Sequence, residues 1–229
     1  MGYFIITIIF AGIGMFVSNR LRSKFSYYRQ FTLGNGMSGR EVAERMLRHY
    51  GIYDVNIVEG RGTLTDHYNP LTKTVSLSPD VYHGRHVSAA AVAAHECGHA
   101  VQHATAYPWL KFRSAIVPIV NIASTAQQYL IMGSMLFYGL ANNSTFLFIA
   151  VIVFGVTALF SLVTLPVEFD ASNRALAWLN DSGVARGAEY DGAKDALWWA
   201  AMTYVAAALN ALALLLYFLL RFLAASSDD

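Results

Sequence analysis

The chain has 229 residues, 55% of them hydrophobic and only 14% charged, and a net charge of +1. Ordinary soluble domains carry about 25% charged residues, so an ordinary soluble domain is excluded, as the mean hydropathy of +0.40 also says. The net charge itself says nothing about nucleic acid, and no nucleic-acid partner is expected.

In chain order, four apolar blocks are long enough to cross a hydrocarbon core about 30 Å thick: Tyr3–Val17, Ala115–Leu140, Thr145–Leu165 and Ala200–Leu223. The first lacks a basic residue before it and a small-residue cleavage site after it, so it is expected to be an uncleaved anchor rather than a signal peptide. Twelve of the 16 Lys and Arg lie between Arg20 and Arg113, and three more between Arg174 and Lys194. Under the positive-inside rule both basic segments face the cytoplasm, and four crossings put both termini outside. The strongest determinants of this orientation are Arg20, Arg22, Lys24 and Arg29.

A soluble insert follows the first span. Ser38-Gly39-Arg40-Glu41 reads as a capping box that opens a helix. Val42, Met46 and Tyr50 line one face of that helix, and Gly51 stops it. Val55–Glu59 and Thr72–Ser78 alternate as strands, separated by turn-rich Gly60–Asp66 and the turn at Asn69-Pro70. Thr72–Ser78 is a candidate edge on which an extended peptide pairs; the alternative is a purely structural hairpin.

The run Ser88–Val101 is alanine-rich, free of Pro and helix-prone. It contains His95-Glu96-Cys97-Gly98-His99, the H-E-x-x-H pattern. Positions i and i+4 share a helix face, so both imidazoles can hold one metal ion. Glu96 lies about 100° around the helix, where its carboxylate can reach a water at the metal without being a ligand. The blander reading is a buried helix with two satisfied histidines. The single Cys97 permits no intrachain disulfide and fits a reducing compartment. It reads as a structural small residue rather than a ligand.

A catalytic zinc usually takes three protein ligands. His103 continues the 95, 99 series, but on one straight helix it lies about 12 Å from His95 along the axis, too far to share an ion. Metzincins place their third His six residues after the second, where this chain has Thr105. The better candidate lies in Leu165-Pro166-Val167-Glu168-Phe169-Asp170-Ala171-Ser172, just after the third span. The second and third spans form a membrane hairpin, which returns Glu168 to the side of the His95 helix. Asp170 is the competing ligand. It can otherwise orient a ligand imidazole or begin the next helix.

The sequences Leu64-Thr65-Asp66-His67-Tyr68, Val92-Ala93-Ala94-His95-Glu96-Cys97-Gly98-His99-Ala100-Val101-Gln102-His103 and Leu165–Ser172 resemble the YugP-type neutral zinc metallopeptidases of bacterial membranes. The resemblance covers nearly the whole chain, including span order. The chain is more distantly similar to HtpX-type and CAAX-processing membrane peptidases. In those an Asp typically stands four residues past the Glu ligand, where this chain has Ser172. The resemblance implies a bacterial cytoplasmic (inner) membrane protein that hydrolyses peptide bonds.

The expected architecture is a mainly α membrane protein, with about four transmembrane helices and a small α+β zincin-like (gluzincin) catalytic insert. Its parts are an anchor at 1–18, a cytoplasm-facing catalytic region at 19–113, a transmembrane hairpin at 114–166, a third-ligand segment with a polar helix at 167–198, and a final span with a short tail at 199–229. The expected activity is that of a membrane-embedded zinc metalloendopeptidase. One Zn2+ is held by His95, His99 and Glu168, and Glu96 is the general base.

His67 and Tyr68 are candidates for stabilising the oxyanion or contacting substrate, or they simply fix the turn with Asp66. His103 is a candidate for lining the cleft. His49, His83 and His86 are expected on solvated surfaces, and Trp178, Trp198 and Trp199 at the membrane interface. Asn121, Ser124, Thr125, Gln127 and Gln128, inside the second span, either line a cavity leading to the metal or bond between helices. Expected partners are protein or peptide substrates, including juxtamembrane segments, and the lipid bilayer. Two alternatives remain. One is a catalytically silent zinc-binding scaffold or assembly factor. The other is an intramembrane site-2 type protease, whose Asp-Gly partner would have to be Asp191-Gly192 in a polar stretch.

Overall fold

The computed structural model describes residues 2–136 and 143–227. The elements are α1 (Gly2–Tyr28), α2 (Gly39–His49), β1 (Asn56–Glu59), β2 (His67–Asn69), β3 (Thr74–Leu77), α3 (Pro79–His83), α4 (Val87–Ala104), α5 (Pro108–Leu136), α6 (Ser144–Asp181) and α7 (Ala188–Ser227). Four helices are long and apolar enough to cross a membrane: Gly2–Tyr28, Pro108–Gly133, Ser144–Asp181 and Ala188–Ser227. The expected end of the second span at Leu140 and the turn from Ala141 lie outside the described residues.

The chain divides into two compact units. One comprises the described parts of Met1–Phe16, Phe112–Leu165 and Thr203–Asp229. Its small core is Ala150, Phe154 and Leu214, packed against Tyr3, Ile6, Leu130 and Phe218. Phe154 and Phe218 stack at 4.5 Å. The other unit comprises Val17–Lys111 and Pro166–Met202, and it carries the larger core.

In this second unit, α2 begins at the expected capping box. Ser38 accepts from the Glu41 N–H, while the Glu41 side chain accepts from the Ser38 N–H at 2.7 Å. Val42, Ala43, Met46 and Leu47 face inward. The alanines of α4 allow close approach on every side: Ala89, Ala90, Ala91, Ala93 and Ala94 are all fully buried. Asp195, on the first turns of α7, accepts from Lys24 and from the Tyr28 hydroxyl, both at 2.7 Å.

The sheet departs from the expectation in two ways. Its order is β1-β3-β2, with β1 parallel and β2 antiparallel to β3. Thr74–Leu77 is thus the central strand, neither a free edge nor half of a hairpin with β1. The added strand, His67–Asn69, is three residues long and sits against a turn: Asn69 Oδ1 accepts from Leu71 N–H at 2.9 Å. A parallel pair needs a crossover connection, and the residues between β1 and β3 supply it while contributing β2 to the other side.

Three further expectations change. The helix expected to end at Leu165 runs on through Pro166 to Asp181, so Glu168 and Asp170 lie within a continuous helix. His86 is buried, not solvated: it is the N-cap of α4, its side chain accepting from the Ala89 N–H at 3.1 Å. Trp178 is only 2% exposed and belongs to the core of the second unit. Trp198 is exposed, with its ring 6.5 Å from that of Phe169.

Candidate metal centre

Helix α4 brings His95 and His99 onto one face, with their rings 4.8 Å apart. Glu168 arrives from α6. Its Oε2 lies 3.4 Å from His95 Nε2 and 3.6 Å from His99 Nε2, and one ligand atom from each of the three residues lies within 4.8 Å of the others. Zinc bonds of about 2.0–2.2 Å in tetrahedral arrangement set adjacent ligand atoms about 3.3–3.6 Å apart. The His–Glu separations match that value, and two imidazoles with one carboxylate are a donor set that zinc takes with a fourth position open. The residues therefore fit the ion.

Each imidazole is also held from behind. Gln102 Nε2 donates to the Val167 carbonyl oxygen and to Asp170 Oδ2, both at 2.8 Å. These two acceptors fix the orientation of the amide and aim Oε1 at His99 Nδ1, 3.0 Å away. An amide oxygen only accepts, so His99 Nδ1 carries a proton and Nε2 is the ring nitrogen that could offer a lone pair to an ion. Ser172 Oγ lies 3.1 Å from His95 Nδ1. Asp170 is one step removed from the donor cluster, accepting from Gln102 and from Arg174 Nε at 2.6 Å. The Arg174 guanidinium rests over the Tyr107 ring at 5.6 Å.

Glu96 is 8% exposed. Burial pushes its carboxyl above the ordinary carboxylate range; His95 and His99 oppose the rise, while Glu168 and Asp66 add to it. Asp66 is itself held by Ser78, whose N–H and hydroxyl donate to Asp66 Oδ1 at 2.7 and 3.0 Å.

The remaining expected site residues separate. On β2, His67 and Tyr68 point to opposite faces because side chains alternate along a strand. The Tyr68 hydroxyl lies 2.8 Å from His103 Nδ1 on α4, whereas His67 Nδ1 donates to the Thr65 carbonyl oxygen at 2.8 Å. Tyr68 and His103 line a cavity of about 150 Å³ together with Asp54, Lys73 and the apolar Ile52, Val55 and Ala100. His103 takes no part in the three-residue donor cluster.

Gly98, inside the motif, lets α4 and α6 meet: a Cβ there would sit 2.5 Å from the Ala171 carbonyl oxygen. Gln102 and Gly98 have no chemical signature in the sequence. A fully buried glutamine one turn after His99 is the signal that marks Gln102.

The family described as "Putative neutral zinc metallopeptidase" matches this sequence over residues 3–223. The chain is 41% identical over 223 residues to the "Putative membrane protease YugP" of Bacillus subtilis (strain 168), an alignment covering 97% of each protein. No solved structure matches.

Proposed function

The chain belongs to this family of neutral zinc metallopeptidases, and on that footing we propose that it is a membrane-embedded zinc endopeptidase of the gluzincin type. One Zn2+ is held by His95, His99 and Glu168. The observation that carries the reading is the convergence of His95 Nε2, His99 Nε2 and Glu168 Oε2 beside a buried carboxylate, Glu96. A zinc ion bound there supplies Lewis acidity to the scissile carbonyl and makes water easier to deprotonate near neutrality.

This chain's residues do the rest. Glu96 takes the proton of the attacking water and passes it to the leaving amine. Its raised carboxyl brings proton affinity closer to what both transfers need. Gln102 and Ser172 hold the two imidazoles by their Nδ1 atoms. The substrate lies extended along the edge strand β2, with Tyr68 and His103 contacting it at the cavity that they line. The charge bias along the chain supports a site on the cytoplasmic side of the bacterial inner membrane. Juxtamembrane segments of membrane proteins are the proposed substrates.

Glu96→Gln separates an enzyme from a silent zinc-binding scaffold. The purified variant is expected to keep its zinc and lose cleavage of a peptide library by about 10²–10⁴-fold. Identical handling of the library by variant and wild type would overturn the peptidase reading.

A further inference from the structure

Helix α5 carries a feature that peptide hydrolysis does not use. Asn121, Ser124, Thr125 and Gln128 are all exposed. At about 100° per residue they fall within one arc of roughly 100°. Val117 and Met132 extend the same stripe and are 38% and 51% exposed. The opposite side of the helix carries buried Ala123, and Leu130 packs into the core of its unit.

The Thr125 hydroxyl is satisfied within the helix by the Asn121 carbonyl oxygen at 3.0 Å. The side-chain amides of Asn121 and Gln128 meet no hydrogen-bond partner among the described residues. Of the four candidate spans this one has the lowest mean hydropathy, 1.3 against 1.8, 2.8 and 2.0.

Amides left facing hydrocarbon are costly, and in membranes such groups bond across helices. We propose that this stripe is the interface through which two copies of the chain associate, α5 against α5.

The chemistry points to a second copy rather than another partner. Two copies inserted with the same orientation are related by a two-fold axis along the membrane normal, so the paired helices run parallel and each residue meets its own counterpart. Carboxylates or lysines would repel themselves in such an arrangement. An amide both donates and accepts, so Asn121 pairs with Asn121 and Gln128 with Gln128. Polar amides at core positions of parallel helix pairs also fix register and favour dimers. Ser124, between them, is small enough for the backbones to approach. From Val117 to Met132 the stripe extends about 22 Å, most of a hydrocarbon core.

The test uses the full chain in lipid bilayers, with single cysteines at Val117→Cys, Ser124→Cys or Met132→Cys, and Ile119→Cys as the control. Ile119 is 55% exposed but lies on the other side of the helix. The native Cys97 is buried. The three stripe positions are expected to form disulfide-linked dimers under oxidation, and the control is not.

Asn121→Leu combined with Gln128→Leu is expected to weaken self-association at least tenfold, read as the lipid dilution at which dimers separate. Zinc content serves as the check that the variant is folded. Equal cross-linking at Ile119→Cys overturns the proposal. So do a wild type that stays monomeric at every lipid ratio, a double variant that associates undiminished, and capture of a different membrane protein by Ser124→Cys in place of a second copy.

Discussion

Gly98 and Ala171 meet backbone to backbone: a methyl group on Gly98 would stand 2.5 Å from the Ala171 carbonyl oxygen and 3.1 Å from its carbon. No side chain can swing away to relieve that contact, so the helices themselves would have to part. The contact lies one residue from His99 and three from Glu168, which makes the pair the fulcrum of the donor cluster.

Gly98→Ala should therefore oppose the usual rule. Alanine favours a helix over glycine by about 1 kcal/mol, but overpacking a tight contact costs about 1–3 kcal/mol. Packing wins, and zinc affinity is expected to fall more than 100-fold as Glu168 moves out of range of the imidazoles. Competition with a calibrated chelator reads this directly. Unchanged affinity would show that the helices do not need this approach.

Glu168→Ala and Asp170→Ala distinguish the two carboxylates of α6. Glu168 supplies a donor atom 3.4 Å from His95 Nε2, and its removal is expected to abolish stoichiometric zinc at micromolar metal. Asp170 acts only through Gln102, so its removal should weaken binding by about tenfold or less. Gln102→Leu is the harsher change, because it leaves His99 Nδ1 without its acceptor and removes the amide donor to the Val167 carbonyl and Asp170, the latter keeping Arg174. A loss of about 10–100-fold in zinc affinity is expected there. Equal zinc content in all three variants would contradict the assignment.

His86 makes the fold sensitive to acid. Its ring accepts from the Ala89 N–H, which a protonated Nδ1 cannot do. Burial lowers its pKa below the ordinary 6.5, with Asp80 opposing and Arg29 adding to the fall. A base whose folded pKa is depressed stabilises the fold fully above the unfolded value. That stability is lost as pH falls from about 6.5 through the folded value. The melting temperature should therefore drop between pH 7 and pH 5, with about 1 kcal/mol attached to the cap. His86→Asn keeps a capping oxygen that does not titrate, and this part of the pH dependence should flatten.

Cys97 is expected to be inert. It is fully buried, its Sγ lies 3.7 Å from the Ala43 carbonyl oxygen, and burial pushes its thiol pKa up. The folded protein should resist maleimide at pH 8 and react only after denaturation. Rapid labelling of the folded chain would place Cys97 outside the core.

The donor set was legible because it rests on local periodicity. His95 and His99 share a face by helical spacing, and Glu168 is the carboxylate that follows the third apolar block. The capping box at Ser38 and Glu41 is equally local. What escaped is set by distant partners. His67–Asn69 is too short to show alternation and becomes a strand only because β3 lies beside it. His86 looks like any polar surface residue until Phe25 and the first turn of α4 enclose it. Pro166 reads as a helix stop, since it lacks an N–H and disfavours helix before it, yet α6 continues through it. Gln102 carries no chemical signature at all. Its role exists only where Val167 and Asp170 meet it.

Chain order also sets when the donor cluster can exist. His95, Glu96 and His99 leave the ribosome well before Glu168, with α5 and most of α6 between them. At about 5–20 residues per second, that interval lasts roughly 3–15 s. Throughout it the nascent chain holds two imidazoles and no third donor. A chain that stalls or is truncated anywhere before Glu168 is left in the same state, so only a chain synthesised through its third candidate span can assemble the centre.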